Sequence, residues 1–187
     1  MNKLETTNQS EIEKVMKKVY YEFDTAVSYK IWVKNFALNL ENIWKEKSAK
    51  KLTENTVSDS VIVIGRGPSL KNHDHLNKLK SSNYNGAIIC TDGALITALK
   101  AGITPDRFPE FYVVTVDPRS ETIKFYNDKI INKYHGKIKG IFSTVSNPDT
   151  VKKARESGIE IFWFHSLVDY NEGEKSFNQI SALMTRA

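Results

Sequence analysis

An α/β fold built on a mainly parallel sheet is what the sequence predicts, and three observations predict it. Short apolar runs recur at Val61 to Ile64, Ala87 to Cys90, Phe111 to Val116, Ile138 to Phe142 and Ile159 to Phe164. Helical stretches separate them, as parallel β–α units with right-handed crossovers require. The first four runs end in residues that carry chemistry: a glycine turn, an aspartate, a second aspartate, and a pair of hydroxyls.

The first run sets the pattern for the rest. Val61-Ile62-Val63-Ile64 consists entirely of β-branched residues and reads as a strand buried on both faces. Gly65-Arg66-Gly67-Pro68-Ser69 follows. Two glycines let the backbone turn tightly and approach a ligand. Pro68 suits the first turn of a helix, and Ser69 suits its cap or offers a hydroxyl. A strand, a glycine turn and a helix start together hold phosphate well. The pattern is neither a Walker P-loop nor a full G-x-G-x-x-G, because Leu70 stands where the third glycine would be.

The other elements follow in order. From Glu11 to about Lys50 there is neither proline nor glycine, and apolar residues recur at helical spacing (Ile12, Val15, Met16, Val19, Phe23, then Val27, Ile31, Phe36, Leu40, Ile43). This predicts an aromatic-rich helical segment, broken near position 25, that docks on the core or on another copy of the chain. Lys45 to Ser60 is polar and reads as a linker, so residues 1–58 are expected to precede a domain spanning 59–187. Helices are expected around Asp74 to Lys80, from Leu95 to Ala101 with Gly102 closing it, from Ser120 to Asn132, and from Asp149 to Ser157 with Gly158 closing it.

Composition narrows the function classes. The 187 residues give room for one good-sized domain plus an appendage. A formal net charge of +5 suits anionic ligands such as nucleotides. The lysines are scattered, so no nucleic-acid surface is expected. Cys90 is the only cysteine, which rules out an internal disulfide and a cysteine-based zinc site; it reads as a small core residue. No apolar run approaches the ~20 residues that span a bilayer, and a cytoplasmic location is expected.

In an open parallel sheet, ligands bind beyond the carboxyl ends of the strands. There the sequence places Gly65 to Ser69, Asp92-Gly93, Asp117-Pro118 and Ser143-Thr144. Asp117 ends an apolar strand and is the better metal candidate, since Mg²⁺ takes one or two carboxylates plus phosphate oxygens and water. Asp92 binds a ribose or a metal, or caps the following helix; the residues leave these open. Arg66 and Arg119 are available to neutralise phosphate. His73-Asp74-His75 reads as surface, and His165 is a weaker acid–base candidate. Tyr112, Trp163 and Phe164 offer rings for stacking but as strand residues belong rather to the core.

The ordered set Gly65-x-Gly67-Pro68-Ser69-Leu70, Thr91-Asp92-Gly93-Ala94, Gly102-Ile103-x-Pro105-Asp106 and Val114-x-Val116-Asp117-Pro118 resembles the 6-hydroxymethylpterin diphosphokinase MptE-like family. That family shares its domain with the motility-accessory (Maf) flagellin glycosyltransferases. The resemblance runs from about Val61 to the C-terminus and implies a Rossmann-like, doubly wound fold. It implies diphosphate transfer from ATP, with Mg²⁺, to a hydroxymethyl-pterin-like acceptor. On that basis Gly65, Arg66, Gly67, Pro68, Ser69, Gly93, Ser143 and Thr144 would bind the nucleotide, and Asp92 and Asp117 would serve at the metal and in catalysis. The N-terminal helical region is similar to the segment that precedes this domain in Maf-type proteins, and it is the expected route to a homo-oligomer.

Three departures from the family pattern stand out. Asp117 is single where the pterin enzymes tend to carry a pair. Arg107-Phe108-Pro109-Glu110 reads as an insertion. The chain stops at Ala187, before the glycine-rich segment usual in the family, which implies a C-terminal truncation. Gly-Arg-Gly-Pro-Ser-Leu-Lys also resembles the nucleotide-binding turn of bacterial sialyltransferases. The alternative is therefore a glycosyltransferase using a CMP-activated nonulosonic sugar, with a non-catalytic nucleotide-binding module as a third expectation.

Overall fold

A computed structural model describes residues 27–166 and 176–185 of the chain. The helical expectations for Glu11 to Phe23, and the break near position 25, fall outside these residues. Helix α1 (Val27–Lys45) leads into a two-residue strand β1 (Lys47–Ser48) and a 3-10 helix (Ala49–Asn55). Then come β2 (Val61–Ile64), the one-turn helix α2 (Ser69–Asn72), α3 (His75–Ser81), β3 (Ala87–Thr91) and α4 (Asp92–Ala101). They are followed by β4 (Phe111–Thr115), a second 3-10 helix (Ser120–Tyr126), α5 (Lys129–Asn132), β5 (Lys139–Ser143), α6 (Pro148–Glu156), β6 (Glu160–Phe164) and α7 (Phe177–Thr185).

All six strands are parallel, in the order β1-β6-β5-β4-β3-β2. From β2 to β6 each strand moves one place in the same direction. Right-handed crossovers therefore set their helices on a single face. The step from β1 to β2 runs the other way and carries the first 3-10 helix across the opposite face. There Leu52, Thr53 and Thr56 border a shallow cavity with Val61, Ile89, Tyr112 and Ile141. Winding in both directions makes the sheet doubly wound.

Register explains the core. One row across the sheet runs Ile64, Cys90, Val113, Gly140, Ile161. These residues, with Ile88, Phe111, Phe142 and Trp163, point to the helix layer and pack on Leu95, Ala98, Leu99, Val151 and Ala154. Gly140 lacks a side chain because a Cβ there would lie 2.6 Å from the Phe142 ring and 2.7 Å from Ile159 Cγ2. Cys90 is a core residue as expected, and burial pushes its thiol up to about 12.

Three expectations are corrected. Val61 to Ile64 is not buried on both faces. It forms an edge of the sheet, with Val61 51% and Val63 65% exposed. β-branched side chains favour the pleated surface whether or not it is covered. Second, Lys45 to Ser60 is no plain linker: Lys47 and Ser48 pair with Phe162 and Trp163. Phe36 and Ile43 of α1 belong to the same core as the sheet. Third, Ser120 to Asn132 is two short pieces, because Asp128 starts a new helix by accepting a hydrogen bond from Ile130 N (3.0 Å).

The Arg107 to Glu110 stretch acts as a brace. Arg107 donates to the carbonyls of Lys80 and Ser82, Phe108 is fully buried, and Glu110 accepts from Val57 N and Ser58 N (3.1 and 2.8 Å). Asn147 caps α6 by accepting from Asp149 N and Thr150 N, with Pro148 at the first position. Gly102 and Gly158, both at positive φ, close α4 and α6 as predicted.

Candidate functional site

Three adjacent strands bring part of the expected set together. β2 delivers the glycine turn, β3 delivers Thr91-Asp92-Gly93, and β4 delivers Asp117-Pro118-Arg119, all at the carboxyl edge of the sheet.

The turn's two glycines differ from those that close helices. Neither takes a positive φ. A Cβ on Gly65 would meet nothing within 4 Å, and one on Gly67 would meet only Ser69 Oγ, at 3.7 Å. Neither backbone conformation nor packing among the described residues demands glycine there. What glycine secures is open space above the turn, where a ligand can approach the backbone. Pro68 takes a helical φ, and no side chain caps α2, so Ser69 is free of the capping role foreseen for it.

Arg66 links the turn to the next strand. Its side chain lies across Gly93, where a Cβ would stand 2.7 Å from Arg66 Cδ. Its guanidinium sits 5.2 Å from the centre of the Phe125 ring. A side chain at Gly93 would displace the exposed Arg66 side chain from this position.

Asp92 opens α4, and its Oδ1 accepts from Gly93 N at 2.6 Å. Burial raises its pKa above the usual carboxylate range. The Gly93 N–H opposes this, the charge of Asp117 adds to it, and Arg66 opposes it. Beside Asp92, Thr91 Oγ1 is buried without a hydrogen-bond partner. Asp117 is in the opposite state. It accepts from Arg119 N and Nε (2.9 Å each) and from Arg119 Nη2 (2.5 Å), and these contacts hold its carboxyl below the ordinary range.

Ser143 and Thr144 are not in this exposed cluster. Both are buried. Ser143 Oγ pairs with Ser166 Oγ at 2.7 Å, and Thr144 Oγ1 pairs with His165 Nδ1 at 3.2 Å. His165 is engaged on its other nitrogen by Thr185 Oγ1 (2.6 Å), and burial lowers its pKa. Helix α1 joins the residues after β6 in this coverage. Its Asn35 and Asn39, both buried, donate to carbonyls of the loops after β4 and β5. Helix α1 thus helps close the β5 end of the edge, and among the described residues the β2–β4 end is open. No motif singles out these asparagines. The available signal is their i, i+4 spacing within an otherwise apolar helical pattern.

Among the described residues no group of three or more His, Cys, Asp or Glu could hold a metal ion. His73 and His75 are exposed, with ring centres 5.6 Å apart. Tyr112 and Trp163 are buried, the latter donating Nε1 to Glu46. Asp92 and Asp117 alone fit a hard cation only if phosphate oxygens and water complete its shell, which is the habit of Mg²⁺ bound with a nucleotide.

A doubly wound parallel sheet with a glycine turn and two carboxylates on its carboxyl edge defines a Rossmann-like α/β protein. The chain belongs to the 6-hydroxymethylpterin diphosphokinase MptE-like family, whose model matches residues 34–184. That family name describes a diphosphokinase-like transferase. The match begins well before Val61, so Asn35, Asn39 and β1 lie within the matched region. A search of curated proteins finds no match.

Proposed function

We propose that the protein is a nucleotide-dependent transferase that moves diphosphate from ATP, with Mg²⁺, to the hydroxymethyl group of a pterin-like acceptor. The observation that carries this reading is the space that the described residues leave open above Gly65 and Gly67, on the same strand edge that carries Asp92 and Asp117. The family match supports the reaction class. In the reaction, the acceptor hydroxyl oxygen bonds to the β-phosphorus of ATP. The bond from that phosphorus to the oxygen bridging the α-phosphate breaks, and AMP leaves. Asp92 takes the hydroxyl proton through the carboxylate oxygen that would not contact the cation. Backbone at Gly65 to Ser69 cradles the phosphates, and Arg66 and Arg119 neutralise their charge. Asp92 and Asp117 would hold Mg²⁺, which supplies charge neutralisation at the phosphate oxygens.

One observation favours a second reading. Arg119 already occupies Asp117, leaving only Asp92 without an arginine hydrogen bond. A donor that needs no metal, such as a CMP-activated nonulosonic sugar, suits that state. A thermal-shift panel of ATP, CTP and CMP, each with and without Mg²⁺, separates the two, since a ligand that binds only the folded state raises Tm. A rise with ATP only in the presence of Mg²⁺ supports diphosphate transfer. A rise with CMP regardless of metal supports the glycosyltransferase. No rise with any of them removes both.

A further inference from the structure

Asp117 has a local anchor and a distant one. Its carboxylate is bonded to Arg119, two residues along the same loop, and a link that short does not fix the loop against the sheet. Pro118 has no N–H to donate, so its carbonyl is one group by which this part of the backbone is held. Asn35, 83 residues away in sequence, holds it: its Nδ2 donates to Pro118 O at 2.9 Å and to Val145 O at 3.0 Å. Farther along, Arg119 O accepts from Thr122 Oγ1 at 2.7 Å, and that hydroxyl pairs with Thr150 Oγ1 of α6. Thr115, at the start of the loop, is held separately by Ser146 Oγ at 3.1 Å.

We infer that Asn35 is a positioning residue for Asp117: it ties the loop after β4 to the loop after β5 and so sets where the Asp117 carboxylate stands relative to Asp92. The inference rests on the reading of Asp117 given above. Asn39 is a control within the same helix. It is as buried, and its Nδ2 makes two bonds of the same kind, but to Thr144 O (3.2 Å) and Ser146 O (2.9 Å). It makes no bond to the Asp117 loop. Both amides use their two hydrogens on backbone carbonyls, so the two variants lose the same number of hydrogen bonds, and a merely structural role would weaken nucleotide binding equally in both.

The test uses the full chain and compares Asn35→Ala with Asn39→Ala by amide hydrogen exchange. Asn35→Ala should speed exchange across residues 116–121, the Arg119 amide included, by about threefold to tenfold, as the loss of one or two hydrogen bonds implies. Asn39→Ala should speed residues 144–147 and leave 116–121 unchanged. Calorimetry with Mg²⁺ and ATP should show about tenfold weaker binding for Asn35→Ala and unaltered binding for Asn39→Ala. Equal effects of the two variants on residues 116–121 would overturn the inference. If the wild-type chain takes up no nucleotide, the proposed function fails, while the exchange comparison still decides whether Asn35 positions the loop. Should Asn35→Ala not fold, Asn35→Ser retains one donor, and the same region should show an intermediate increase.

Discussion

Asp92 and Asp117 show how environment separates two residues of one chemical type. Burial and a neighbouring negative charge raise the first; an arginine lowers the second. The folded pKa of Asp92 lies above its unfolded value, so the native state binds the proton more tightly and the charged form costs stability. That cost is fully present above the folded pKa and fades as pH falls through it towards 3.8. Asp92→Asn should therefore raise Tm at pH 7 by about 1–3 °C, with the gain disappearing near pH 4 in calorimetric scans. A gain that does not change with pH would mean burial of charge is not its cause. Asp117→Asn should abolish Mg²⁺-dependent ATP binding, with titration calorimetry as the check; unchanged affinity removes Asp117 from the metal site. Gly67→Val should fold, because its Cβ points into open space. It should nonetheless lose nucleotide binding, and a variant that still binds normally would mean the turn does not hold phosphate.

Among the elements, α1 decides how much of the edge is usable. It buries Ser143 and Thr144 by satisfying the carbonyls around them, and so narrows the open site to β2, β3 and β4. Asn39→Ala leaves two buried carbonyls without their donor, at roughly 1–3 kcal/mol each at most. A Tm loss of about 4 °C or more is expected; a loss within 1 °C in a melting scan would show that water replaces the amide. The end of α6 carries a different constraint. Gly158 has φ +88°, and a Cβ there would stand 2.8 Å from the His135 Cα backbone atom and nearer still to its ring. Gly158→Ala should cost roughly 1–3 kcal/mol. Gly65→Ala, at a glycine with empty surroundings, should leave Tm close to that of the wild type. A smaller loss at Gly158 than at Gly65 in parallel melts would contradict the assignment of strain.

For the whole molecule, winding direction places the site. Four crossovers in one direction stack the helices on one face, and the carboxyl ends of β2 to β4 stay open beside α2 and α4. No described helix is long and apolar enough to cross a membrane. The sequence by itself determined the five main strands, the parallel sheet and the family. Apolar runs, turn residues and strand-end motifs are local signals, and local signals are read in order along the chain. It also determined Asp92, Asp117 and the glycine turn as candidates, because the strand-end rule needs only strand positions. Only the tertiary structure decided that Val61 to Ile64 lies at an edge, that Lys47 and Ser48 join the sheet, and that α1 covers Ser143 and Thr144. Each of these depends on which distant element lies alongside, through pairings 83 to 117 residues apart in sequence, such as Asn35 with Pro118 or Glu46 with Trp163. Such pairings are made when hydrogen-bonding groups are buried together, a property of the packed core and not of any one segment of the chain.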